Sequence, residues 1–395
     1  MNSRLSLVSN LLKGQKMFQV KEAAAELESN GRDVIHMELG DPDFDSPSKA
    51  ISAAKHSLEV GETHYGSSWG LQKFRNSINL NHIEERGLKI NIDQLVVTAG
   101  ANSGIYYTIR ALVNPGEEVL IPDPGFVSFE AAILAAGAKP VRYSLNFKDH
   151  FQPKTDEIES LISKSTRLMI INSPSNPSGT VLRDDIYIKI SNLLKKNNIP
   201  LLSDDTYSRM KRGYETSKIS PLSKTDRKLD NSIILGGLSK EFSMSGFRLG
   251  YLAGPKEVIK KINLYIETVN SCVPIFTQRA GITALESCKK DLIANRETLL
   301  DRSDAFIEII NQSKYIDCHS SDIGLYAFPK INCGNIPADE IANILLQENG
   351  IACVPGSAFG ELSIDHLRFS MNQPKNLLID IANKIVSTLD KVCAS

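Results

Sequence analysis

From about residue 95 the chain alternates short apolar runs with stretches of helical periodicity. Gln94 to Thr98, Glu118 to Ile121, Leu168 to Ile171, Leu201 to Ser203 and Ile233 to Leu235 are short runs whose apolar residues are consecutive rather than at every second position. Asn102 to Val113, Phe129 to Ala136 and Asp184 to Lys196 read as helices between them. A strand that is apolar on both faces has to be covered on both faces. This alternation therefore selects a mostly parallel sheet sandwiched by helices. In such sheets ligands are bound at the carboxyl ends of the strands, so those ends are where chemistry is to be sought.

The rest of the chain divides around that sheet. Lys21 to Ser29 is an Ala/Glu-rich helix closed by Asn30-Gly31, followed by a short strand, Val34 to Met37. After about residue 280 long helices and segments such as Gly324 to Pro329 and His366 to Ser370 indicate a smaller α/β domain. The expected organisation is an N-terminal segment, 1–47, packing with the small domain; a large domain, 48–280; and a small C-terminal domain, 281–395.

Bulk properties remove several function classes. Lys plus Arg number 45 and Asp plus Glu 46, a net charge of −1, so no basic excess favours nucleic acid. No apolar run approaches the length of a membrane span, and Met1-Asn2-Ser3-Arg4 leads into a polar, broken stretch rather than a secretory apolar core. The six cysteines show no C-x-x-C pair and lie in the last third of the chain. They are expected to be reduced, mostly buried thiols of a cytoplasmic protein, with neither a disulfide framework nor a zinc site.

Four strand ends carry candidate chemistry. Thr98-Ala99-Gly100-Ala101-Asn102 joins a strand to a helix through small residues, which suits an anion seated on free helix N–H groups; such a turn is also common as plain structure. In Ser173-Pro174-Ser175-Asn176-Pro177-Ser178-Gly179-Thr180 a proline restrains Asn176 at a strand end, although an ordinary turn reads the same. Asp204 and Asp205 follow the strand Leu201 to Ser203 and either face a cation or cap a helix. Lys240, in Gly237-Leu238-Ser239-Lys240-Glu241-Phe242, follows a strand among small and apolar residues. Desolvation there would lower its pKa toward that of a nucleophilic amine. Arg248 stands eight residues later, a fixed cation suited to phosphate.

The segment Gly237 to Gly250 resembles the lysine-attachment signature of the class I/II aminotransferases, within the fold type I pyridoxal-phosphate enzymes. Other segments follow in that family's order: Leu39-Gly40-Asp41-Pro42-Asp43-Phe44, His64-Tyr65-Gly66, Asn176-Pro177-x-Gly179, Asp204-x-x-Tyr207 and Leu367-Arg368-Phe369-Ser370. The resemblance spans roughly residues 30 to 370.

The resemblance implies pyridoxal 5'-phosphate as cofactor. It assigns attachment and proton movement to Lys240, the pairing of the pyridine nitrogen to Asp204 rather than Asp205, and hydrogen bonds to the phenolic oxygen to Asn176 and Tyr207. It places Phe126 against the ring. The phosphate falls to the Ala101 and Asn102 amides, Ser239 and Arg248, and to Tyr65 of a neighbouring subunit in a homodimer with shared sites. The substrate α-carboxylate falls to Arg368, with Asn176 and the Gly40 backbone closing over it. No metal is implied. The partners are an amino acid and a 2-oxo acid, with 2-oxoglutarate as the expected acceptor. Three positions depart from the pattern: Gly237 where the family often has serine, Phe126 where relatives carry Trp or Tyr, and Thr206 in place of an aliphatic residue.

The expected reaction is amino transfer. A carbon–sulfur β-lyase or related synthase on the same scaffold shares these motifs and is the alternative. A regulatory protein with an inactive domain is disfavoured by the complete catalytic set, and a nicotinamide dehydrogenase by the lack of a G-x-G-x-x-G after a strand. Met17 and Phe18 are placed near the entrance, a hint of an apolar substrate.

Overall fold

The computed structural model describes residues 6–12, 14–334 and 336–394; Met1 to Arg4 lie outside the described residues. Its centre is a seven-stranded sheet. The strands are β1 (Leu95–Thr98), β2 (Glu118–Asp123), β3 (Lys139–Ser144), β4 (Thr166–Asn172), β5 (Leu201–Asp204), β6 (Ser232–Gly237) and β7 (Gly250–Ala253). Their order across the sheet is β1-β7-β6-β5-β4-β2-β3. Every pair is parallel except those that β7 makes with β1 and β6.

Side chains alternate between two cores, as they must along a pleated strand. Leu95, Val97, Met169, Ile171, Leu201 and Ile234 face one core. Val96, Leu168, Ile170, Leu202, Ile233 and Leu235 face the other, which is closed by Ile105, Ile109, Phe129, Ile133, Ile259 and Ile262 from helices. Burial on both faces is the reason these strands read as unbroken apolar runs.

Two strands are not visible as such runs. β3 (Lys-Pro-Val-Arg-Tyr-Ser) sits at the sheet edge, half solvated and beginning with charge and proline, which an edge tolerates. β7 begins at Gly250, inside the segment singled out for its chemistry. The first long helix begins at Lys16 rather than Lys21.

Beyond the large sheet, Ile35–His36 pairs in parallel with Ile351–Ala352, and Leu367–Ser370 lies between Tyr326–Ala327 and Val354–Pro355. The expectation of six reduced thiols is corrected here. Cys333 and Cys393 form a disulfide across a separation of 60 residues, brought together as the helix Lys375–Val392 ends beside the Cys333 turn. Cys272, Cys288, Cys318 and Cys353 are free. Among the described residues, no helix is long and apolar enough to cross a membrane, and no cluster of three or more His, Cys, Asp or Glu side chains is placed to hold a metal ion.

Candidate active site

The sheet register lines up the strand ends that the sequence singles out. Asn172 is paired with Asp204, Asp204 with Leu235, Gly237 with Gly250, and Gly250 with Thr98. Residues that follow β1, β4, β5 and β6, and those that precede the antiparallel β7, meet in one cavity of about 310 Å³.

At the end of β1, Gly100 turns the chain with φ 86° into the helix Ala101–Leu112, whose first turn has no side-chain cap. Those amides are left for something else. A Cβ on Gly100 would fall on the Arg248 guanidinium, and one on Gly250 would meet Gly100 C at 2.6 Å. Arg248 is itself in the left-handed region and donates from Nη1 to Ser245 O at 2.8 Å. Its guanidinium therefore lies against the bare helix start.

At the end of β5, Asp204 is buried and accepts from Thr206 N (3.1 Å) and Thr206 Oγ1 (2.6 Å). Burial outweighs those bonds and lifts the carboxyl to about 6. Tyr207 follows, its hydroxyl 2.9 Å from that of Tyr326. At the end of β6, Lys240 donates from Nζ to Gly40 O at 2.6 Å. Desolvation holds its amine at about 8, with Arg368 and Arg248 acting in the same direction and Asp41 opposing.

Arg368 is 1 % exposed. Its Nη1 donates to Asn176 Oδ1 at 3.1 Å and its Nη2 to Glu38 O. The guanidinium lies 4.9 Å from the Tyr326 ring centre and 5.1 Å from that of Phe359, and its Nε has no hydrogen-bond partner among the described residues. Asn176 is fixed in turn by its own N–H, which donates to Asn172 Oδ1 at 2.7 Å. The Ser173–Pro174 and Asn176–Pro177 peptides are cis.

Gly40, Ala101, Asn102, Phe126, Asn176, Asp204, Tyr207, Ser239, Lys240, Arg248 and Arg368 all line this cavity, as do Met17 and Phe18. Tyr65 does not: it is 85 % exposed and outside the cavity of its own chain. Sequence reasoning passed over Tyr326 and Asn172, which also line it, as do Asp41 and Thr206, quoted in the sequence without a role in the site. Asn172 could have been found as the polar residue ending an apolar run. Tyr326 offered only its place in a short strand.

The arrangement joins a weakly basic amine, a carboxyl held toward its neutral form, two guanidinium groups and an unfilled helix start in one concave space. The wider comparisons agree with that chemistry. Residues 32–385 match the family model for aminotransferase class I and II. The chain is 32 % identical over 382 residues to an aspartate aminotransferase of Pyrococcus horikoshii, covering 96 % of each. It is 32 % identical to an arginine–pyruvate transaminase of Pseudomonas aeruginosa, covering 86 % of each. Among solved structures, an alanine aminotransferase of Pyrococcus furiosus superposes with a TM-score of 0.92 at 28 % identity, over 98 % of this chain and all (100 %) of that one. The chain belongs to the class I and II aminotransferases, a pyridoxal-phosphate-dependent family, and is itself an aminotransferase.

Proposed function

We propose that the cavity holds pyridoxal 5'-phosphate and that the chain moves the amino group of an L-amino acid to a 2-oxo acid, with 2-oxoglutarate as acceptor. The observation that carries this reading is the pair Lys240 and Asp204. Both are desolvated, one held at about 8 and the other at about 6, in a cavity shared with two arginines. Among the described residues no cation pairs with this carboxyl, and a protonated ring nitrogen would do so. The uncapped helix start beside Arg248 suits a phosphate. The residues present therefore fit the group.

When bound, this cofactor supplies an electrophilic carbonyl carbon and a ring that withdraws electrons from the substrate Cα. The chain's own residues do the remainder. Lys240 would hold the cofactor, and its amine is placed to take up the proton lost from the substrate Cα. Asp204 keeps the ring nitrogen protonated. Tyr207 and Asn176 direct hydrogen bonds to the phenolic oxygen, and Phe126 packs against the ring. The amides of Ala101 and Asn102, with Ser239 and Arg248, hold the phosphate. Arg368 grips the α-carboxylate through its planar fork, with Gly40 closing over it. Met17 and Phe18 in the cavity wall favour a donor with an apolar side chain.

Tyr65, exposed on its own chain, is assigned to the phosphate of a neighbouring subunit, which makes the working unit a homodimer with shared sites. Borohydride reduction of the purified enzyme followed by peptide mapping tests the cofactor assignment: the label is expected on Lys240, and a label on another lysine defeats it. A panel of amino donors, with 2-oxoglutarate as acceptor, tests the substrates.

A further inference from the structure

Behind the cavity lies a second, fully buried set of charges that the chemistry above does not use. Asp205 follows Asp204 and Glu241 follows Lys240, and both carboxylates are turned away from the cavity. Asp205 pairs with Arg86 at 2.5 Å and accepts from Ser203 Oγ at 2.5 Å. Glu241 Oε2 lies 3.0 Å from His82 Nε2 and 3.4 Å from Arg209 Nη1. None of His82, Arg86, Asp205, Arg209 and Glu241 is more than 6 % exposed. Burial alone would raise the Glu241 carboxyl; His82 and Arg209 outweigh it and hold the group low, ionised and paired.

His82 and Arg86 come from one short stretch. The helix Gln72–Ile78 widens into a π-helical turn, Asn79–Ile83, and tightens again at Glu84–Arg86. Widened turns of this kind are costly and re-aim side chains. This one aims His82 at the residue after Lys240, and the next turn sets Arg86 on the residue after Asp204. The two strand ends are also tied directly, Asp205 N donating to Leu235 O at 2.8 Å.

We propose that residues 82–86 act as a clamp that sets Lys240 and Asp204 relative to one another, with His82 and Arg86 as positioning residues for the reaction. This rests on the functional reading above. Buried ion pairs contribute little net stability, so a role in geometry accounts for a cluster that stability alone does not require. Misplacement of a reacting group by about 1 Å can cost about 100-fold in rate.

The test compares His82→Leu and Arg86→Met with Arg86→Lys and with Leu389→Ala, a core truncation in the C-terminal helix. Each holoenzyme is read by Tm, kcat, KM, the pH midpoint of the cofactor's visible band and backbone hydrogen exchange. His82→Leu and Arg86→Met should lower kcat by about tenfold or more, shift the band midpoint, and speed exchange at both 204–207 and 238–242. Arg86→Lys should recover part of kcat. Leu389→Ala should lower Tm with kcat and the midpoint kept. If the clamp variants lose Tm but keep kcat and the midpoint as Leu389→Ala does, the cluster is only buried core and the proposal falls. If the parent enzyme takes no borohydride label on Lys240, the functional reading is what fails. Exchange then decides the clamp: acceleration at both strand ends supports it, and acceleration confined to 79–86 overturns it.

Discussion

Asp204 and Asp205, consecutive in the chain, serve opposite sides of one strand end. Among the described residues Asp204, which lines the cavity, has only Thr206 as donor to its carboxylate, whereas Asp205 forms an ion pair with Arg86 at 2.5 Å and accepts from Ser203 Oγ. The residues alone left both aspartates as cation partners or helix caps, and the resemblance assigned the ring to Asp204; in the structure it is Asp205 that meets a cation of the chain, Arg86.

The two carboxylates should therefore fail differently when made neutral. Asp204 has a folded value near 6 against an ordinary 3.8. Its ionisation burdens the cofactor-free fold increasingly as pH rises from 3.8 through 6, by about 3 kcal/mol at neutrality. Asp204→Asn should raise the Tm of the cofactor-free chain above pH 6, with the gain vanishing below pH 4, while turnover falls about 100-fold or more. Asp205→Asn leaves a buried Arg86 unpaired and should cost about 3 kcal/mol of stability. Thermal melts from pH 4 to 8 beside steady-state rates check both, and a reversed ranking in Tm refutes the assignment of sides.

Lys240 can be titrated by its own reactivity. In the cofactor-free chain, acylation of this amine should be half-maximal near pH 8 rather than at the ordinary 10.5. A folded value below the unfolded one means that stability is withheld below pH 8 and restored as pH rises toward 10.5. Lys240→Met should accordingly stabilise the cofactor-free chain at pH 7 and lose that advantage above pH 10.5. Mass spectrometry of the labelled peptide across pH measures the midpoint, and a value near 10.5 contradicts the desolvated site.

For Arg368, the planar fork matters more than the charge. Arg368→Lys keeps a cation but loses the second parallel N–H, as well as the packing against Tyr326 and Phe359. KM for the amino donor should rise about tenfold or more, with a smaller change in kcat. Amines lacking a carboxylate that react as well as amino acids with the unaltered enzyme would remove this role.

Sharing of Tyr65 is settled by mixing subunits. Lys240→Ala and Tyr65→Ala chains, each impaired alone, form mixed dimers in which one site draws both intact residues from different chains. With random pairing about half the dimers are mixed, so about a quarter of full site activity should return on co-expression. If Tyr65 serves its own chain, mixing restores nothing beyond the average of the two variants.

What could be read in the sequence was whatever a local rule governs. The helix Asp184–Lys196 has the bounds expected of it, because charge at both ends and apolar periodicity fix it locally. The central strands were legible because both of their faces are buried. Of the site residues named from the resemblance, all but Tyr65 line the cavity; most stand beside strand ends that meet at one edge of the large sheet, whereas Gly40 and Arg368 reach it from outside that sheet. The edge strand Lys139–Ser144 escaped because solvent replaces a neighbour along one side. Tyr326, His82 and Arg86 act across more than 100 residues of chain, and no spacing rule connects partners so far apart. The Cys333–Cys393 pair escaped for the same reason.

The seat of the helix Ala101–Leu112 has a consequence for tuning the enzyme. Its depth is set by bare glycines, Gly100 and Gly250 at its start and Gly104 within it, where an added Cβ would strike Arg248, Gly100 and Leu235 respectively, while its polar ties lie farther along, at Tyr107 to Asn270 and Tyr265 to the Arg110 carbonyl. Gly250→Ala would push its new carbon against Gly100 and Ala101 and back the helix away from Arg248, with every hydrogen-bonding group of the site still present. On the proposed reading, affinity for the cofactor's phosphate would thus be graded here by carbon alone, in the way the depth of a socket is altered by shimming its floor rather than by changing its contacts.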